Sequence, residues 1–167
     1  MRERLIIRWP YHPEQSASWV LTDAQGRLQG DICSGELEQC VEAGAGRQLV
    51  VLVPAADVLL TKVTVPTRNR HRLQQAVPFA LEDQLSEDVA TLHFALGPDL
   101  PDGSISVAVV ARERMQTWLD GLQAAGVRPD MLVPETLALP TAEREWSLLV
   151  EGNSAIVRLA LIPLLRR

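Results

Sequence analysis

The sequence predicts an α/β protein built on a mixed sheet, and three observations carry that expectation. Leu49-Val50-Val51-Leu52-Val53 is a continuous apolar run closed by Pro54, the pattern of a central strand covered on both faces. Leu73, Ala76, Val77, Ala80 and Leu81 repeat at helical spacing, as do Met115, Trp118, Leu119 and Leu122. Runs of β-rich and helical character alternate along the chain, with no internal repeat or low-complexity tract.

In order, Leu5-Ile6-Ile7 reads as a first strand, and Pro10 and Pro13 forbid its continuation because they lack ladder donors. Ser18–Thr22 and Arg27–Ile32 flank Asp23-Ala24-Gln25-Gly26, a hairpin turn in which Gly26 is free to take positive φ. A short helix follows, with Ser34 as the expected N-cap and Leu37, Cys40 and Val41 on one face, stopped by Gly44 and Gly46. Beyond the apolar strand, Val58–Val65 is a second β-rich run. The helix carrying Leu73 contains Pro78, which would remove a bond to Gln74 and favours a kink or a break there. The break would give helices Asn69–Val77 and Pro78–Leu85. Strands are expected at Thr91–Leu96 and Ser104–Ala111, separated by a Gly97–Gly103 loop. In the second, Ile105, Val107 and Val109 alternate with Ser104, Ser106 and Ala108. The helix of Trp118 should end at Gly126, with Val127 as its apolar contact and Pro129 preventing resumption. A short strand at Met131–Val133 and a hairpin of Trp146–Val150 with Ala155–Ala160 close the pattern.

Composition limits function. The chain has 167 residues, is 47% hydrophobic and carries a net charge of −5, which gives no electrostatic reason to expect nucleic acid as partner. Cys33 and Cys40 lack metal-pair spacing and are expected as two buried thiols in a reducing compartment. No signal peptide opens the chain, and Leu159–Leu165 is far shorter than the ~20 apolar residues that span a bilayer, so a soluble cytoplasmic polypeptide is expected. His12, His71 and His93 lie in unrelated contexts, and the only lysine, Lys62, sits in a strand. No phosphate-loop motif or nucleophile elbow occurs. No catalytic residue, cofactor or metal site is assigned, and the chain is expected not to be an enzyme.

Several segments then stand in a telling order: Val53-Pro54-Ala55, Thr64-Val65-Pro66, Val77-Pro78-Phe79-Ala80-Leu81-Glu82-Asp83-Gln84-Leu85, Leu92-His93-Phe94-Ala95 and Pro134-Glu135-Thr136-Leu137-Ala138-Leu139-Pro140. Together, over about residues 5–158, they resemble the cytoplasmic domain of type II secretion system protein L. That resemblance implies an actin-like fold made of ribonuclease-H-like halves and no enzymatic activity. It also implies recruitment of the N-terminal domain of the secretion ATPase at the inner membrane, and pairing with platform proteins F and M through the full-length protein. A second copy of the chain is retained as a further partner. On this reading residues 1–145 form a first half with a subdomain inserted at roughly 60–110, and residues 146–167 begin a truncated second half.

An actin-like fold invites a nucleotide hypothesis. After Ile7, however, Arg8-Trp9-Pro10-Tyr11-His12-Pro13 offers no glycine and two missing amide donors, a poor phosphate cradle. Glu151-Gly152-Asn153-Ser154 reads as a plain turn whose acid has no evident partner. The alternative function is a nucleotide-binding actin-like protein of a type IV pilus-like platform. Interface candidates are Trp9, at the exit of the first strand, and Glu82, Asp83, Glu87 and Asp88. Those four acids follow Arg68, Arg70 and Arg72 in an order opposed to the helix dipole.

Overall fold

The computed structural model describes residues 3–10, 15–67, 69–141, 146–152 and 154–159. Expectations for Tyr11, His12, Pro13, Arg68, Asn153 and 160–167 lie outside them. The chain divides into two compact units, one drawn from the residues up to Ala55 with Thr117–Pro140 and Ser147–Arg158, the other centred on Ala56–Gln116.

The first unit is organised on a five-stranded mixed sheet. Its strands are β1 (Arg4–Arg8), β2 (Ala17–Thr22), β3 (Leu28–Gly35), β4 (Gln48–Val53) and β8 (Met131–Pro134), in the order β3-β2-β1-β4-β8. β1, β2 and β3 form an antiparallel meander, and β4 and β8 then add in parallel. This is the ribonuclease-H-like order that the resemblance implies. The β2–β3 turn forms as its residues dictate. Asp23 Oδ1 accepts from the Gln25 and Arg27 amides at 2.8 and 2.9 Å, and Gly26 takes φ 83°. β4 lies between β1 and β8 with Val51 and Val53 buried, as its unbroken apolar run requires. At its start the Leu49 amide donates to Asp130 Oδ2 at 2.8 Å, while the Asp130 amide donates to the Leu49 carbonyl at 2.9 Å.

Between β3 and β4 the chain makes a 3-10 turn and the short α1 (Cys40–Gly44). Two expectations are corrected here. Ser34 belongs to β3 and Glu36 precedes the turn, without a side-chain cap. Cys40 is buried, but Val41 is 43% exposed and Cys33, on the outer strand, is exposed as well. Among the described residues β3 is the outer strand of its sheet, and its residues from Leu28 to Ser34 are exposed.

The second unit has its own core under a three-stranded antiparallel sheet, β5 (Leu59–Val63), β7 (Ile105–Ala111) and β6 (Leu92–Asp99), in the order β5-β7-β6. Leu73, Val77 and Leu81 of α2 (Arg70–Leu81) recur every four residues and are buried. Val77 and Leu81 join Val63, Leu92, Val107 and Val109 in one apolar cluster. β6 runs on through Gly97 and Pro98 to Asp99, where a loop was expected, with a register shift after Leu96. Such an irregularity suits an edge strand, whose outer amides need no partner. β7 is the central strand, so Ser104 beside its start and Ser106 within it are buried despite their alternation with valines. Ser106 Oγ donates to the Pro98 carbonyl at 3.0 Å, which satisfies the buried hydroxyl.

α3 (Arg112–Ala124) buries Trp118 and Leu122, whereas Leu119 is 39% exposed. It ends as its residues predict. Gly126 has φ 74°, its amide donates to the Gln123 carbonyl, and the Val127 amide donates to that of Leu122 at 2.8 Å. β9 (Trp146–Glu151) and β10 (Ser154–Leu159) pair as a separate ribbon.

Candidate functional site

Two places are candidates for a functional site, one in each unit. The first lies where β1 ends. Arg8 Nε stands 3.0 Å from Glu135 Oε2, and its Nη1 stands 2.6 Å from the Glu151 carboxylate. Glu135 opens the 3-10 turn after β8 and is only 5% exposed. Its other oxygen accepts from the Ala55 amide at 3.3 Å. Burial pulls the Arg8 guanidinium down, but hydrogen bonds and charge from Glu151 and Glu135 outweigh it and leave the cation held above its ordinary value. Nearby, Arg158 is 8% exposed and donates to the carbonyls of Leu137 and Leu139 at the end of the same turn, and burial pulls its guanidinium below its ordinary value.

This arrangement decides what the strand exit can hold. A phosphate would need free amides and an uncommitted cation. Here the Trp9 amide donates to the Leu52 carbonyl at 2.8 Å, Pro10 has none to give, and Arg8 is already engaged by two carboxylates. The neighbouring cleft is lined by Trp9, Ser16, Ser18 and Ser154 together with Glu151, whose charge would repel a second anion. Sequence reasoning found no partner for Glu151 and missed this cluster. One signal pointed to it: Glu135 is a lone acid within the largely apolar stretch from Met131 to Leu139, and a buried carboxylate needs a cation.

Trp9 belongs to this neighbourhood and is half-buried. Its ring lies over Gly121 of α3, where an added Cβ would approach Trp9 Cη2 to 2.5 Å. The side chain therefore spends one face on packing.

The second place is the C-terminal end of α2. The helix starts at Asn69, whose side chain accepts from the Arg72 amide at 3.1 Å. It runs unbroken through Pro78 to Leu81 and passes into a 3-10 turn, Glu82–Gln84. The expected second helix beginning at Pro78 is not formed. Buried Val77 and Leu81 flank the proline in sequence, and their packing under the sheet holds the segment helical despite the lost bond. Glu82 and Asp83 thus sit at the negative end of the helix, and both are exposed. Glu87 is exposed too, and Asp88 accepts from the Ala90 amide at 2.8 Å to cap the next turn. Among the described residues no lysine or arginine forms an ion pair with these four acids. They form one exposed acidic segment, to which Trp9, in the other unit, does not belong.

Among the described residues, no group of three His, Cys, Asp or Glu is gathered for a metal ion. His71 is exposed and His93 is half-buried on β6. Burial, then the charges of Cys33 and Glu38, push the Cys40 thiol up to about 11, so it stays protonated and poorly nucleophilic. No helix among the described residues is long and apolar enough to cross a membrane.

The profile of the family described as type II secretion system (T2SS), protein L matches residues 5–163. The chain is 32% identical over 161 residues to type II secretion system protein L of Dickeya chrysanthemi, covering 95% of this chain and 40% of that protein. It is 36% identical over 158 residues to the protein of the same description from Pectobacterium carotovorum subsp. carotovorum, covering 92% and 37%. The chain thus spans about two fifths of the length of these relatives. Among solved structures it is similar to the cytoplasmic domain of EpsL, described as an inner membrane component of the type II secretion system of Vibrio cholerae. There the TM-score is 0.74 at 28% identity, over 93% of this chain and 67% of that one. A chain of the PilM–PilN type IV pilus biogenesis complex matches with a TM-score of 0.60 at 19% identity, over 81% and 48%, a likeness of fold.

Proposed function

The chain belongs to the type II secretion system protein L family, with that family's actin-like α/β fold, and we propose that it acts as a non-catalytic docking module of the secretion platform. It stands on the cytoplasmic side of the inner membrane and recruits the N-terminal domain of the secretion ATPase. Platform proteins F and M are its further partners in the full-length protein. Residues 1–145 act as a first ribonuclease-H-like half with an inserted subdomain at roughly 60–110, and 146–167 begin the second half. Glu82, Asp83, Glu87 and Asp88 contribute to the partner surface, with Trp9 as a separate contact.

The observation that supports docking over nucleotide chemistry is the Arg8–Glu135–Glu151 cluster. It fills the β1 exit with the protein's own charges, so a phosphate would have to break two ion pairs and face two carboxylates. The test is retention of the chain by the immobilised N-terminal domain of the ATPase, with full-length protein L as positive control. Retention is the expected result. Loss of the chain alongside a retained control would remove the docking reading.

A further inference from the structure

The second unit contains a groove of about 660 Å³ beside the acidic segment, and its chemistry narrows what can dock there. Leu59, Leu85 and Val109 supply apolar lining, and Leu59 is 48% exposed on the edge strand β5. Asp57, Glu87 and Arg114 line it as well. Arg114 Nε lies 3.5 Å from Asp57 Oδ1, which leaves the exposed Glu87 without an ion-pair partner among the described residues. Glu82, Asp83 and Asp88 flank the Gln84–Glu87 wall in sequence, so four acids and no base occupy the seven residues from Glu82 to Asp88.

A groove of mixed lining, with exposed aliphatic side chains beside uncompensated acids, selects its occupant by both properties. A neutral aliphatic segment would leave Glu87 without compensation, and an acidic one would be repelled. A purely cationic one would gain nothing from Leu59 and Leu85. We propose that this groove receives a partner-protein segment in which bulky aliphatic residues alternate with lysine or arginine. The aliphatic side chains cover Leu59 and Leu85, and the cations meet Glu87 and the acids around it. The assignment rests on the docking reading above and gives that partner a site and a chemistry. It also accounts for acids kept at the wrong end of α2, where the helix itself gains nothing from them.

The test measures binding of the full chain to the N-terminal domain of the ATPase, using the unaltered protein, Leu59→Asp and Glu87→Lys. Both altered side chains are exposed, and circular dichroism with thermal unfolding confirms that each variant folds. At least a tenfold loss of affinity in both variants is expected, together with competition by a leucine–lysine hexapeptide and none by its leucine–glutamate counterpart. Variants that bind like the unaltered chain overturn the groove assignment and leave the docking reading intact. Equal competition by the glutamate peptide overturns the cationic partner. An unaltered chain that does not bind removes the docking reading and this inference together.

Discussion

Arg8 ties the exit of β1 to two carboxylates, and its replacement would measure what that pairing contributes. Replacing it with Met leaves the buried Glu135 carboxylate with only the Ala55 amide and no cation beside it. Breaking a fully buried pair costs about 3–5 kcal/mol, and the loss here should fall toward or below the lower end because Arg8 is partly exposed. Urea unfolding at neutral pH should show that loss. The cysteines separate by burial. A thiol reagent at pH 8 should label Cys33 in the folded chain and Cys40 only after denaturation. Because folding raises the Cys40 thiol from 9.0 to about 11, the folded chain holds a proton that the unfolded chain releases in that interval. The contribution of Cys40 to stability is therefore complete below about pH 9 and declines as the pH climbs towards 11. A Cys40→Ala variant should lack that component of the decline in the unfolding midpoint.

At the scale of the element, α2 is built against its local preferences. Pro78 forfeits a hydrogen bond to Gln74, Arg70 and Arg72 crowd the positive end, and Glu82 and Asp83 occupy the negative end. The burial of Leu73, Val77 and Leu81 outweighs these costs. Pro78→Ala should raise stability by about 1–3 kcal/mol, read from the urea midpoint. Converting Glu82 and Asp83 to lysine should also stabilise, by about 0.3–1 kcal/mol each at low salt, with the gain fading as salt is added. If docking uses these acids, the same double variant loses partner binding while its unfolding midpoint rises, a pairing that a general folding defect cannot produce. The stripe of α2 was legible in its four-residue spacing. Its continuity was not, because whether a proline breaks a helix depends on how well its neighbours are buried.

For the whole molecule, the nucleotide question has a thermodynamic readout. A ligand at about 1,000 times its dissociation constant stabilises the folded state by about 4 kcal/mol. Addition of 1 mM ATP with magnesium should leave the melting temperature unchanged if the β1 exit is closed by its own charges. A clear upward shift would restore the type IV pilus-like alternative. The sequence by itself determined where most strands and helices lie, the α/β class and the family, because hydrophobic period, turn residues and the Ala80-Leu81-Glu82-Asp83-Gln84-Leu85 segment are local patterns. It also placed the Gly126 stop and the Gly26 turn, where one residue type answers one backbone geometry. Only the tertiary structure decided which strand is central and which is an edge, and so why Ser106 is buried while Cys33 is not. Only it brought Arg8 to Glu135 and Glu151, residues 127 and 143 positions away in the chain. Charge pairing is a property of distance in space, so the lone acid at Glu135 could signal a need for a cation but not which residue supplies it.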